Sequence, residues 1–409
     1  MWKFLAAAAA PLLLPLLTSL AAECPAKYAG TVKDGVPWKP NTNYETDDFC
    51  GYWYYTPSTG MNTPEDAFRQ PRSIVVDDAG HTLVLERGFK SPTGGAIGDN
   101  WLGKIVALYP NTTDGNGTII KNSLLELDNL NHGLFIHEEY IYASSDSTVY
   151  RWLYTAGQTN KITAEPQIVV KDINSLGQGG ASRGHSTRTI LFDCHGLLYI
   201  SIGSLRNLDE DETRSYVARF NVSVIPEGGI DWLTQRYNDE VFASGLRNEV
   251  GMAMDKHCYL WGFQTGSDNL CRGPGCPDSN SPFNDQTTPV LSDLGGDIHN
   301  DNPAEVLHRF PANSLAKNEK FYGYPFCWYE YNIPTYGLGK GTLWAWPGYG
   351  KTDEWCRENV EDWEQVVIAH STPLGMTFFD ATKPVSPTCT GTFPARFNGD
   401  LFVTYKGSW

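Results

Sequence analysis

Apolar residues along this chain fall into five copies of one short phrase: an apolar strand, a polar turn, and a second strand rich in Leu, Tyr and Val. Four copies run Ser73–Leu85, Gly133–Tyr142, Thr189–Ile200 and Gly251–Trp261. A fifth opens at Gly375–Asp380 and resumes, after a long turn, at Gly399–Val403. Asp77, His137, Asp193 and Asp255 occupy the same turn position, spaced 60, 56 and 62 residues apart. One hairpin cannot bury both of its faces, so repetition at this spacing means radial or stacked β units. The phrases predict an all-β β-propeller with five readable blades. A propeller gathers its chemistry at the central mouth.

The segments between phrases refine that picture. Phe4–Leu17 is an apolar run behind Lys3 that ends in small residues up to Ala22. It is too short to span a bilayer comfortably and reads as a secretory signal peptide over residues 1–22, leaving 23–409 as a single domain. No later stretch is apolar enough to cross a membrane. Cys24–Gly60 lacks the repeat and is expected to wrap the outside, while about a hundred residues rich in Gly, Pro, Asn and Asp separate the fourth and fifth phrases. Loops of that length inside a compact domain are usually functional.

Charge and cysteines then narrow the setting. The net charge of −16, with no basic run, disfavours nucleic acid as a partner. The 13 Trp and 21 Tyr suit sugar rings and propeller cores alike. Nine cysteines in an exported chain predict disulfides with one remainder. Cys271 and Cys276 bracket a Gly-Pro-Gly turn, and Cys194 and Cys258 sit in matching turns of consecutive repeats. Cys327 with Cys356, and Cys24 with Cys50, complete the set and leave Cys389. Sequons at Asn111, Asn116 and Asn221 are candidate N-glycan sites.

The polar residues flanking the phrases carry the candidate chemistry. Arg72, His132, Arg183-Gly-His185-Ser-Thr-Arg188, Arg247-Asn248, Gly266-Ser267-Asp268-Asn269 and Lys406 lie beside strands of different blades at comparable offsets. They are therefore expected to converge on one axis. Arg forks match carboxylates, and oxygen-rich loops match calcium. Such a mouth suits an anionic, planar ligand with a hard cation.

These motifs resemble those of the soluble quinoprotein sugar dehydrogenases, and most closely the fungal pyranose dehydrogenases that use pyrroloquinoline quinone (PQQ). The resemblance runs from about Phe68 to Trp409. It is carried by Arg183–Arg188, Ser201–Ser204, Ser244–Gly251, Thr265–Leu270, Asn302–Val306, Tyr322–Pro325, Thr372–Met376 and Phe402–Trp409, in the family's order. It implies a six-bladed propeller, so a sixth blade, with a partner for Cys389, is expected after Trp409. It also implies His185 as the base that takes the sugar hydroxyl proton, with Arg247, Asn248 and Lys406 on PQQ. The Gly266 and Ser267 carbonyls, with Asp268 as an additional ligand, would hold calcium; His132 and Arg72 are assigned to the cofactor from their mouth positions. The implied reaction takes a pyranose at C1 to a lactone, with electrons leaving to a haem b domain or cytochrome. Bacterial relatives carry an acidic residue where this chain has Gly184, which leaves open what orients His185.

Two other classes compete. A calcium-dependent lactonase propeller needs acidic and Asn ligands on the axis, whereas these motifs are mainly basic. A non-catalytic sugar-binding propeller would repeat one pocket in every blade, whereas the mouth residues here differ from blade to blade.

Overall fold

Each sequence phrase becomes the first hairpin of one antiparallel sheet in the computed structural model. The structure describes residues 68–87, 102–113, 119–173, 184–209, 211–232, 241–268, 270, 301–312, 320–333, 337–346, 349–382 and 395–407. The chain divides into a unit Met1–Ala67, which lies outside those residues, and a unit Phe68–Trp409.

The first sheet is β1 (Pro71–Val76), β2 (Thr82–Glu86), β3 (Leu102–Pro110) and β4 (Ile119–Asp128), in that order. The second is β5 (Leu134–His137), β6 (Tyr140–Ser144), β7 (Val149–Leu153) and β8 (Gln167–Lys171). The third holds β9 (Ile190–Phe192), β10 (Leu197–Ile202) and β11 (Tyr216–Asn221). Short β12 (Ile230–Asp231) reaches back to pair in parallel with β8, and β13 (Val241–Ser244) completes the third sheet. The fourth sheet begins with β14 (Glu249–Met254), β15 (Leu260–Gln264) and β16 (Glu305–Phe310). An inserted hairpin, β17 (Cys327–Tyr329) with β18 (Leu343–Ala345), and helix α1 (Asp353–Asn359) precede its last strand, β19 (Gln365–Val367). The fifth pair is β20 (Pro373–Phe378) with β21 (Leu401–Tyr405).

Strand periodicity explains the arrangement. In β10, Leu198, Ile200 and Ile202 point to one face and pack with Tyr142, Val149 and Val169 of the second sheet. Tyr199, between them, points to the other face and packs with Met252, Leu260 and Phe310 of the fourth. Leu83, Leu85 and Ile105 meet Leu134, Ile141 and Trp152 in the same way. Sheets buried on both faces must stack side by side, and their leading strands β1, β5, β9, β14 and β20 contact one another in that order. This is the radial order of a β-propeller, with first strands innermost.

The repeated aspartate is a turn device. Asp77, Asp193 and Asp255 each accept with Oδ1 the backbone N–H groups two and four residues on, at 2.7–3.0 Å. Their Oδ2 atoms receive Tyr154 and Gly157, Tyr199, and Trp261 respectively. His137 departs from this pattern. It ends β5 at a two-residue turn through Glu138, whose φ is +50°, and its ring stacks on Phe192 at 3.9 Å.

Cys194 bonds Cys258, joining the third and fourth sheets through their matching turns, and Cys327 bonds Cys356, tying β17 to α1. The pairings expected for Cys271 with Cys276 and Cys24 with Cys50 lie outside the described residues, as does Cys389. No helix among the described residues is long and apolar enough to cross a membrane.

Asp193→Ala removes one carboxylate that receives two N–H groups and the Tyr199 hydroxyl. Loss of charge-assisted bonds in a buried turn costs about 3 kcal/mol, so urea unfolding should show an unfolding free energy lowered by that amount. A shift below about 0.5 kcal/mol, the scale of an ordinary surface change, would refute the device.

Candidate active site

The loops that enter the inner strands are stitched to one another from sheet to sheet. Ser73 Oγ donates to the His132 carbonyl, Asn131 Nδ2 to the Ser186 carbonyl at 2.8 Å, and Ser144 Oγ to the Arg188 carbonyl at 2.7 Å. The Ser204 N–H donates to the Arg247 carbonyl at 2.9 Å, and Thr189 Oγ1 to the Val250 carbonyl at 2.7 Å. The Thr372 N–H completes the run by donating to the Glu305 carboxylate. Residues from all five sheets therefore border one central region.

His185 is held from behind. Its Nδ1 lies 3.0 Å from the Ser204 carbonyl and 3.1 Å from the Ser204 hydroxyl, which itself donates to the Arg206 carbonyl. Facing a carbonyl, Nδ1 carries the proton, so Nε2 is the acceptor nitrogen. Burial, with Arg247 and Arg188 nearby, pushes the imidazole down to about 3, leaving it neutral at ordinary pH. Ser204 thus supplies the orientation that sequence reasoning left open. Gly184 has φ +64°, and a Cβ there would collide with the Leu205 carbonyl, so an acidic side chain does not fit at this backbone. Gly203 likewise leaves room for His185 and Asn248 to pack over its bare Cα. Arg183 lies outside the described residues.

Arg247 and Asn248, both buried, stand next to His185. The Arg247 guanidinium donates from Nε to the Asn207 carbonyl and from Nη2 to Asn207 Oδ1, each at 3.1 Å, while Nη1 reaches Thr265 only at 3.4–3.5 Å. Asn248 Oδ1 is buried without a hydrogen-bond partner among the described residues. The loop 265–268 passes alongside. The Gly266 N–H donates to Glu305 Oε2 at 2.9 Å, Ser267 Oγ to the Asn207 carbonyl at 2.8 Å, and the Asp268 N–H to Asn207 Oδ1 at 2.8 Å. Among the described residues no donor reaches the Gly266 or Ser267 carbonyl. The Asp268 carboxylate lies 3.3 Å from His370 Nδ1. No three His, Cys, Asp or Glu side chains among the described residues gather into a metal cage, so a cation here would rest mainly on carbonyls. Two backbone carbonyls without a donor among the described residues, next in sequence to a carboxylate, are the donor chemistry a hard cation takes, and the Arg247 guanidinium is of the kind that takes an anion.

Arg72 and His132 form a separate pair on the first and second sheets. Burial, then the Arg72 charge, lowers the His132 imidazole to about 4, and its Nδ1 has no partner. Asn131, next in sequence, links this pair to the His185 loop through Ser186. Lys406 is exposed at the end of β21, and its backbone N–H donates to the Thr372 carbonyl. The structure thus brings His185, Arg247, Asn248 and the loop of Gly266, Ser267 and Asp268 together, while Arg72 and His132 lie at the neighbouring first and second sheets and exposed Lys406 follows β21. Sequence reasoning missed Ser204, Asn207, Glu305 and His370. Ser204 and Glu305 stood inside quoted motifs, and Asn207 lies three residues beyond the end of one, but nothing in their spacing showed what they would touch.

Beneath the cluster, the fourth sheet buries Glu249 and His308, with 3.9 Å between His308 Nδ1 and Glu249 Oε1 and no hydrogen bond on either side chain. Burial, with the Glu305 charge, raises the Glu249 carboxyl well above its usual range, and burial lowers the His308 imidazole to about 3, so burial favours the neutral form of each. Glu305 is pushed up to about 7 by burial.

The fold and this cluster define a β-propeller whose central face offers a buried histidine beside an arginine and a loop of backbone carbonyls. The chain belongs to the TrAA12-like family, whose family model matches residues 61–409. It is 26% identical over 327 residues to the pyrroloquinoline quinone-dependent pyranose dehydrogenase of Coprinopsis cinerea, covering 75% of this chain and 38% of that protein. It is 28% identical over 355 residues to the pyrroloquinoline quinone-dependent sugar dehydrogenase of Hypocrea jecorina, covering 80% and 69%. The fold is similar to the calcium structure of the Trichoderma reesei Carbohydrate-Active Enzymes Family AA12, with a TM-score of 0.58, 25% identity, and 76% and 71% of the two chains covered. It is also similar to the holo PQQ domain of the Coprinopsis cinerea pyranose dehydrogenase, with a TM-score of 0.59, 22% identity, and 77% and 69% covered. The chain thus spans well under half the length of the Coprinopsis relative.

The buried titratable groups set a pH profile for stability. His132, His185 and His308 have depressed values, so the unfolded chain binds more protons and stability is lost as pH falls below 6.5. Glu249 and Glu305 have raised values, so their contribution is lost as pH rises above 4.5. Three histidines against two glutamates place the optimum near pH 6.5, with the steepest loss below 4.5. Urea unfolding at pH 4, 6.5 and 8.5 checks this; highest stability at pH 4 would contradict it.

Proposed function

We propose that this chain is the sugar-oxidising propeller of a secreted, PQQ- and calcium-dependent dehydrogenase that takes a pyranose at C1 to its lactone. One observation carries the reading: His185 is kept neutral with its Nδ1 turned to the Ser204 carbonyl, which leaves Nε2 for a substrate hydroxyl. The names of the two curated relatives, both pyrroloquinoline quinone-dependent dehydrogenases, support it. In this reading His185 Nε2 receives the C1 hydroxyl proton as the C1 hydrogen leaves with its electron pair and the lactone C=O forms. Arg247 and Asn248 hold the cofactor, with Arg72, His132 and Lys406 as further contacts. The Gly266 and Ser267 carbonyls and Asp268 hold calcium. When bound, PQQ supplies the electron acceptor, and calcium polarises its carbonyl toward that role. The electrons then pass to a haem b domain or cytochrome.

Secretion is supported by the apolar leader over residues 1–22 and by two disulfides, which persist in oxidising compartments. At Asn111 and Asn221 the sequon hydroxyls of Thr113 and Ser223 each donate to the Asn Oδ1 at 2.7 Å, and Asn221 is exposed, as a glycan acceptor must be. Asn116 lies outside the described residues.

His185→Ala should retain fold and PQQ affinity and lose about 10²- to 10⁴-fold in turnover of an aldose panel followed by dye reduction. Near-normal turnover of the PQQ-loaded variant would remove His185 as the base. Arg247→Ala should weaken PQQ binding by about tenfold to over a hundredfold in absorbance titrations, the range for a lost charge-assisted hydrogen bond. An unchanged titration curve would take Arg247 out of the cofactor site.

A further inference from the structure

Asn207, in the loop that follows β10, touches both halves of the candidate site at once. Its side-chain Oδ1 accepts Arg247 Nη2 at 3.1 Å and the Asp268 N–H at 2.8 Å, and its Nδ2 donates to the Asp268 carbonyl at 2.7 Å. Its backbone carbonyl accepts Arg247 Nε at 3.1 Å and Ser267 Oγ at 2.8 Å. The amide's orientation is settled by these partners, since oxygen faces two donors and nitrogen faces a carbonyl. On the far flank, Glu305 holds the Gly266 N–H at 2.9 Å. Both ends of the loop are therefore fixed through N–H groups, and among the described residues no donor reaches the two carbonyls between them, of Gly266 and Ser267.

We propose that Asn207 is a positioning residue: it transmits the hold of Arg247 to the loop 265–268 and presets that loop's carbonyls for a divalent cation. This rests on the reading of Gly266 and Ser267 as the calcium loop. It has a consequence opposite to simple electrostatics. Removing the Arg247 charge should, by Coulomb's law alone, strengthen cation binding nearby. Through the clamp, the same removal frees Asn207, loosens the loop and weakens cation binding.

The test is calcium titration of the PQQ-free full chain, with no turnover involved, in wild type, Asn207→Leu, Arg247→Ala and the double variant. Each single substitution should weaken calcium binding by about tenfold, the scale of one or two lost hydrogen bonds. The double variant should be no worse than Asn207→Leu, because both act through one element. Hydrogen exchange over residues 265–268 should quicken in Asn207→Leu. Asn207→Asp, which keeps the acceptor and loses only the Nδ2 donor, should retain slow exchange and the Arg247 dependence, and it serves if Asn207→Leu does not fold. Calcium binding that tightens or stays unchanged in Arg247→Ala, or effects that add in the double variant, would overturn the clamp. A wild type that binds no calcium would overturn the cation reading instead. The clamp would then stand or fall on exchange alone, and unchanged exchange in Asn207→Leu would end it.

Discussion

The second and third sheets of this protein are apolar on both faces, and such a sheet cannot satisfy both without a neighbour on either side. β10 shows the constraint within one strand: Leu198, Ile200 and Ile202 pack into the second sheet while Tyr199 packs into the fourth. Burying alternate residues on opposite sides forces sheets to stack around an axis rather than to lie as one layer. Every first strand then becomes an inner strand, and every loop entering one opens onto the centre. The site is a consequence of core packing before any functional residue is considered.

What gathers at that centre is unusual in its charge balance. Arg188 and Arg247 are buried, and the His185 imidazole near both is held neutral by its own burial and by their charge. His185 cannot be protonated cheaply beside two guanidinium groups, and burial disfavours the ionised form of Glu249, whose carboxylate oxygens have no hydrogen-bond partner among the described residues. The result is a positive wall with a neutral acceptor nitrogen in front of it. Such a wall suits an anionic ligand and a proton-accepting imidazole together, which a lactonase-type ring of carboxylates would not provide.

The backbone supplies as much of the site as the side chains do. The Ser204 carbonyl orients His185, and the Asn207 carbonyl receives Arg247 and Ser267. The carbonyls of Gly266 and Ser267 meet no donor among the described residues. These groups carry no residue-type signature. They are placed by the turns that follow β10 and β15, and those turns are placed by the sheets. Membership of the TrAA12-like family, across residues 61–409, accords with a site whose framework is the propeller itself.

Alternation and turn residues were enough to locate the five leading hairpins, because period-two burial and the aspartate turn are local in sequence. The pairing of Cys194 with Cys258 was legible for the same reason, as both sit in copies of one turn. His137 broke the pattern because a two-residue turn at Glu138 replaced the side-chain cap, a choice visible only in the backbone. His185, Arg247 and the loop 265–268 were legible as candidates from their offsets and from resemblance. That Ser204 orients His185 across 19 residues, that Asn207 joins Arg247 to a loop about 60 residues away, and that Glu305 holds Gly266 across 39, the tertiary structure alone decided. These contacts cross between strands and between sheets, and no periodicity along a chain records which loops a propeller brings face to face.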